Sequence, residues 1–260
     1  MIKNLIKNNK VLFSSALLFK EFLTRASFSS VESNLQGYYN DLNNTGITVI
    51  PDVFNEELCD SLINGIENTP QELVKVYDND IRIWNFNNHN KECLEKFSLN
   101  TEFSSLGEAY SREELVFQTT MAGRVSYKLN SMGSGGSWHR DSFSKQFKAM
   151  VYLVDVDEDN GPFQYLEGSH YMKNILKTIF FYNKSDLANY SRLDNDVVTA
   201  ISNNESLTIK TCAAKKGSVV LFDSRGIHRG MPMKKGVRYA LTNYYVAKSY
   251  YQKNVNVWDA

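Results

Sequence analysis

Apolar positions recur at helical spacing in the first third of the chain and at strand spacing in most of the rest. Near the N-terminus, Leu12, Ala16, Phe19 and Leu23 stand three or four apart, which predicts an amphipathic helix packing on the body of the protein through that face. Residues 31–44 set Val31, Leu35 and Tyr38 among polar neighbours and predict a second helix that ends before Gly46. ITVIPDVF, residues 47–54, is β-branched and reads as a short strand stopped at Pro51. Asn55 then offers an N-cap, and EELCDSLINGIEN places Leu58, Leu62 and Ile66 on one helical face.

From about residue 115 the rhythm changes. LVFQTTMAGRVSYKL, FKAMVYLVDV, PFQYLEG, SVVLFDS and RYALTNYYVA each carry the β-branched and aromatic content of strands, separated by glycine or polar turns. Many short strands of this kind point to a sandwich or closed barrel rather than a parallel α/β sheet. Residues 171–210, with NILKTIFFYN and SDLANYSRLDNDVV, interrupt the rhythm and are expected to form a lid-like insertion over a site. With no internal repeat and only four prolines, nothing cuts the chain in two. The division expected is a helical extension, 1–45, followed by one β domain, 46–250.

Composition narrows the function. Of the 260 residues, 42% are hydrophobic and 13% aromatic, enough for one large core. Lys plus Arg balance Asp plus Glu at 29 each without a run of one sign, so the basic footprint of a nucleic-acid binder is missing. Cys59, Cys93 and Cys212 are odd in number and lack metal-ligand or CxxC spacing, which fits buried reduced thiols and a cytoplasmic protein. The apolar run VLFSSALLF is nine residues, too short to span a membrane; it is followed by Lys20 and Glu21 and has no clear small-residue cleavage site. A peripheral membrane contact through this basic segment stays open as a second reading.

Two of the four histidines stand where chemistry is plausible. In SWHRDSF, His139 and Asp141 are two apart, so on a strand both project from one face. His228 follows an apolar strand and a turn in LFDSRGIHRG, where a barrel could return it beside that pair. Two imidazoles and a carboxylate on one side of Fe(II) leave positions open for a co-substrate and dioxygen, although hydrogen-bonded histidines at a barrel mouth would give the same spacing. Arg238, ten residues after His228, opens a strand and offers a planar fork to a dicarboxylate; an exposed strand-end arginine is its plainer reading.

Taken together, three blocks resemble the phytanoyl-CoA dioxygenase family of 2-oxoglutarate oxygenases: GGSWHRDSF, DEDNGPFQYLEGSH at 157–170, and KKGSVVLFDSRGIHRGMPMKKGVRYALTNYY. The likeness runs over about 46–247 and is densest from 124. It implies a mainly β fold with accessory helices: a double-stranded β-helix, jelly-roll or cupin-like, with N-terminal helices packed on one sheet. It further implies His139, Asp141 and His228 as Fe(II) ligands, and Arg238 as partner of the distal carboxylate of 2-oxoglutarate. It also implies O2 as the other co-substrate and hydroxylation of a small molecule, with release of succinate and CO2. Desaturation, cyclisation or epimerisation would use the same iron chemistry, and a non-catalytic metal-binding jelly-roll is the reading from another class. Relatives that halogenate replace the metal carboxylate with a small residue, whereas Asp141 is retained here. Glu167 stands where a proline is frequent, and Gly230 where a small hydroxyl residue is common.

Other residues are expected to matter less. Arg124 and Tyr127 precede the metal pair on a strand and either contact the co-substrate or serve ordinary packing and surface charge. Trp138 either walls the site or is a buried core residue, His170 is read as a structural residue ending the Gly-Ser-His turn rather than a ligand, His89 as a surface residue, and Asn160-Gly161 as a turn. The cationic and aromatic residues of the insertion, Lys173, Lys177, Lys184 and Arg192 with Tyr171, Phe180, Phe181, Tyr182 and Tyr190, could seat an anionic or sugar-like substrate or form a solvated helix face.

Overall fold

Strands that are apolar on one face must bury it against another layer, and in this chain they pair into two antiparallel sheets. The computed structural model describes residues 9–23, 31–133, 135–182 and 191–249. The larger sheet uses β1 (Ile47–Ile50), β2 (Val74–Val76), β3 (Asp80–Ile83), β4 (Leu115–Ser126), β6 (Phe147–Tyr152), β10 (Val219–Asp223) and β12 (Val237–Ala247), in the order β1-β10-β6-β12-β4-β3-β2. The smaller uses β5 (Trp138–His139), β7 (Phe163–Leu166), β8 (Arg192–Leu193), β9 (Ile209–Cys212) and β11 (His228–Gly230), in the order β8-β5-β11-β7-β9. From β5 onward the chain passes back and forth between the sheets. That winding is the double-stranded β-helix. Tyr152, Val220 and Phe222 from one sheet meet Phe163, Tyr165 and Cys212 from the other.

Residues on the larger sheet alternate between two environments, as the period of two requires. Ile83, Ala122, Leu241 and Val151 lie side by side across β3, β4, β12 and β6, and all are buried beneath helices. The covering helices are α2 (Gln36–Thr45), α3 (Glu56–Glu67) and α4 (Thr101–Ser111). They contribute Leu42, Cys59, Leu62, Ile66, Phe103 and Leu106 to the same core. Asn55 caps α3 as expected, its Oδ1 accepting from Leu58 N–H at 3.0 Å. The expected strand 47–54 stops at Ile50, because Pro51 has no N–H to pair and Asp52 turns to positive φ. Helices before residue 46 thus share the core of the β domain.

The N-terminal helix α1 (Lys10–Leu23) forms, but not with the expected face inward. Leu12, Ala16 and Phe19 are exposed, whereas Ser14 and Leu17 are buried. Leu17 and Phe13 pack against Ile175, Ile179 and Phe143. Arg225 fixes the choice: its Nη1 donates to Glu21 at 2.8 Å, and Glu21 shares the side of α1 that carries Leu17.

The insertion also departs from expectation. Its described parts are α5 (Met172–Lys177), one following turn, β8, α6 (Asn195–Glu205) and β9. Val198 and Ile201 of α6 and Leu193 of β8 pack with Trp138, Leu166 and Ile227 of the smaller sheet. None of the described residues of 171–210 lines the cavity between the sheets. Their apolar stripe covers a sheet, so it is not available to cover a site. Lys184 and Tyr190 lie outside the described residues.

Candidate metal centre

β5 and β11 are antiparallel neighbours, and their register sets His139 directly opposite His228. The two rings lie 4.4 Å apart, centroid to centroid. Just past the end of β5, Asp141 N–H donates to the Ser224 carbonyl at 3.0 Å, which holds its side chain on the histidines' side. Its Oδ1 is 3.6 Å from His139 Nε2 and its Oδ2 3.4 Å from His228 Nε2. Arg140, between the two, is buried on the other side, donating to the carbonyls of Ser169 and Arg225 and to Thr178 Oγ1. Ligand atoms of His139, Asp141 and His228 all lie within 4.8 Å of one another.

Both imidazoles are set to donate electrons inward. Nδ1 of His139 is 2.7 Å from the Ser137 carbonyl, and Nδ1 of His228 is 2.9 Å from the Gly226 carbonyl. A carbonyl only accepts, so each Nδ1 carries a proton, which leaves Nε2 as the nitrogen each ring can offer a metal. Burial, with His228 alongside, lowers the His139 pKa to about 4 despite Asp141, keeping that ring neutral. Burial alone would raise the Asp141 pKa, yet Lys148 and His228 outweigh it and hold the carboxyl well below its usual range. Two imidazole nitrogens and one carboxylate on the same side fit a divalent metal ion.

Behind the triad lies a cavity of about 190 Å³. Its wall is the inner face of the larger sheet, read in rows. Asp80, Val125 and Arg238 form one row across β3, β4 and β12; Arg82, Gly123 and Ala240 form the next. Further along come Met121, Thr242 and Met150, then Tyr244 and Lys148 beside Phe222. Arg238 points to Gly230 and Gly161, where an added Cβ would stand 3.1 and 3.3 Å from its guanidinium nitrogens. Glycine at 230 therefore gives the guanidinium room, which a hydroxyl side chain would reduce. Gly161 also has φ +75°, and an added Cβ there would meet the Met231 carbonyl oxygen at 2.7 Å. Among the described residues Arg238 has no hydrogen-bond or ion-pair partner, and burial lowers its pKa. A desolvated cation with an unfilled fork is a receptor for a carboxylate.

Two expected co-substrate contacts are not in the cavity. Arg124 sits one residue out of phase with Gly123 and Val125, so it leaves the other face of β4 and pairs with Glu67 at 3.0 Å, joined by the Tyr239 hydroxyl. Tyr127 lies beyond the end of β4, 44% exposed. Conversely, Lys148 was not anticipated. Its Nζ donates to Asp141 Oδ2 at 2.6 Å and lies 3.9 Å from the centre of the Tyr244 ring. The available signal was a lysine inside the apolar strand FKAMVY, where a charge needs a buried partner. Trp138 is a buried core residue and His89 is exposed, as read from sequence, and His170 is buried away from the cavity.

A family model described as Phytanoyl-CoA dioxygenase (PhyH) matches residues 42–235. Among curated proteins, none matches the sequence at a significant level. The fold is similar to that of EctD from S. alaskensis with bound Fe, at TM-score 0.64 and 14% identity over 86% of this chain and 81% of that one. It is similar to the non-haem α-ketoglutarate-dependent carbocyclase SnoK from nogalamycin biosynthesis, at TM-score 0.60 and 16% identity over 85% and 87%. HygX from Streptomyces hygroscopicus with nickel and 2-oxoglutarate bound gives TM-score 0.57 and 14% identity over 84% and 88%.

Proposed function

This chain belongs to the phytanoyl-CoA dioxygenase family, and on that premise we propose that it is an Fe(II)- and 2-oxoglutarate-dependent oxygenase that hydroxylates a C–H bond of a small molecule. The observation that carries the reading is the convergence, in one cavity, of a His139–Asp141–His228 donor set with the unpartnered guanidinium of Arg238. His139, Asp141 and His228 hold the iron, and residues 46–250 are the catalytic domain. Iron with 2-oxoglutarate supplies the activation of O2 and the oxidation of the C–H bond, releasing succinate and CO2.

The protein's own part is orientation and exclusion. Ser137 and Gly226 carbonyls fix the two rings in the ligating tautomer. Lys148 retains one oxygen of Asp141, leaving the other to be offered. Arg238 receives the distal carboxylate of 2-oxoglutarate, and its row on β12 sets how far the keto acid reaches from the metal. Met121, Met150, Phe163 and Phe222 make much of the wall apolar, which keeps bulk water from the oxidising centre. Retention of Asp141 favours hydroxylation over halogen transfer, since it leaves no ligand position for a halide.

The test is O2-dependent release of labelled CO2 from 1-labelled 2-oxoglutarate by Fe(II)-loaded protein. Release is expected in the wild type and is expected to fall at least about a hundredfold in Asp141→Ala. Full release in that variant would remove the triad from the chemistry.

A further inference from the structure

The N-terminal helix α1 is apolar on two opposite sides, and the body of the protein covers only one of them. On the inner side Phe13 meets Phe143 edge-on with 5.1 Å between ring centres, Leu17 packs on Ile175 and Ile179, and Glu21 pairs with Arg225. These contacts fix the helix to the body, so its outer side faces solvent in one orientation. There Val11, Leu12, Leu18 and Phe19 are exposed, Phe19 by 65%. At about 100° per residue these four fall within about 120° of the helix circumference, with only Ser15 among them. The turn after α5 adds to this surface: it carries Ile179, on which Leu17 rests, and exposes Phe180 and Phe181, the latter by 77%. A contiguous apolar stripe of this kind marks a contact with a partner or a membrane.

Charge selects what covers it. The chain is neutral overall, yet residues 1–20 contain Lys3, Lys7, Lys10 and Lys20 and no acidic residue, and residues 171–182 contain Lys173 and Lys177 and no acidic residue. The rest of the chain therefore carries six more acidic than basic residues. Lys177 pairs with Glu205, whereas Lys173 is exposed beside the Tyr171 ring. A second copy of the chain would use the same patch twice and set lysines against lysines. An anionic bilayer meets both properties at once, its headgroups facing the lysines and its acyl region taking up the apolar side chains. The helix is 14 residues long, and among the described residues no helix is long and apolar enough to cross a membrane, so the contact runs along the surface.

We infer that α1 is a membrane-surface element: its outer stripe, led by Leu12 and Phe19, enters the boundary between headgroups and acyl chains of an anionic bilayer while its inner side stays on the body. The apolar stripe supplies the insertion and the lysines supply the preference for negative lipid.

The test is flotation of the full chain with vesicles of phosphatidylcholine alone, or of phosphatidylcholine and phosphatidylserine in equal parts. Partitioning is expected to be at least about tenfold stronger on the anionic vesicles and to weaken as salt is added. The double variant Leu12→Ser, Phe19→Ser is expected to lose at least about tenfold in partitioning with an unchanged urea midpoint, because both side chains are already in water. Phe19→Trp is expected to keep the binding, and its emission is expected to shift to the blue on anionic vesicles. No binding by the wild type, equal binding to both vesicles, or binding that survives the double variant would overturn the inference. Self-association of the wild type in sedimentation equilibrium that the double variant abolishes would also overturn it, giving the stripe to a second copy of the chain. Should the double variant fail to fold, Phe19→Trp decides: emission that does not shift on anionic vesicles overturns the inference.

Discussion

A histidine can ligate a metal only through a nitrogen that carries no proton, so the atom that matters most at His139 and His228 is the carbonyl oxygen behind each ring. Ser137 and Gly226 supply those oxygens from the backbone, two residues upstream in both cases. Arg238 and Arg124 illustrate how one residue of phase decides a role. Arg238 shares the inner row with Val125, whereas Arg124 shares the outer row with Tyr239 and meets Glu67. Arg124→Ala is therefore expected to leave 2-oxoglutarate affinity unchanged in a calorimetric titration. Its half-exposed ion pair is expected to contribute no more than about 1 kcal/mol to stability, measured by urea unfolding. His139 and Asp141 could be paired from sequence because their spacing is local, whereas His228 joined them through the family resemblance, its place opposite His139 being set by the β5–β11 register. Arg124 could not be assigned a face, since parity on β4 is set by pairing with β3 and β12, which are distant in sequence. Lys148 escaped for the same reason.

At the scale of elements, β11 is the critical piece, because it is three residues long and its first residue is His228. The turn before it is packed against Tyr165, whose hydroxyl donates to the Asp223 carbonyl at 2.9 Å. An added Cβ at Gly226 would fall 1.9 Å from that hydroxyl oxygen and 2.2 Å from the ring carbon bearing it. Gly226→Ala must therefore displace either the turn or a fully buried tyrosine. A loss of roughly 1–3 kcal/mol in urea unfolding is expected, together with weaker metal binding because His228 moves with the turn. Strands were readable from sequence where β-branched and aromatic residues were dense, as in β4, β6, β10 and β12. The inward face of α1 was not. That helix is apolar on opposite sides, with Leu17 inward and Val11, Leu12 and Phe19 outward, so periodicity alone did not distinguish them. The ion pair of Glu21 with Arg225 did.

For the molecule as a whole, the metal-bearing edge is welded to the helical side by buried polar groups. Tyr110 donates to Asp223 Oδ2 at 2.7 Å, and Arg225 bonds both Asp223 and Glu21. His170, 2% exposed and remote from the cavity, has its pKa lowered to about 4 by burial. Its folded pKa lies below the unfolded value of about 6.5, so unfolding takes up a proton between these limits. Apo-protein stability is thus full above about pH 6.5 and expected to fall as pH drops toward 4, by roughly 3 kcal/mol from this group. Urea midpoints across that range should show the slope, and His170→Asn should remove its share, leaving the share that His139 contributes through its own pKa of about 4. A sandwich or barrel could be expected from the many short strands, and the jelly-roll from the family resemblance, but the path of residues 171–210 could not. Their apolar residues suit either a lid or a covering layer, and packing on Trp138, Leu166 and Ile227 settled the matter for the described part.

Because the reading turns on one cavity holding a metal and a dicarboxylate together, the most direct measurement is anaerobic calorimetric titration of 2-oxoglutarate into the protein with and without Fe(II), alongside Arg238→Ala. Saturable binding at one site per chain is expected only with the metal present, weakened at least about tenfold in Arg238→Ala while that variant still binds Fe(II). No binding to the metal-loaded wild type, or binding indifferent both to Fe(II) and to Arg238, would contradict it.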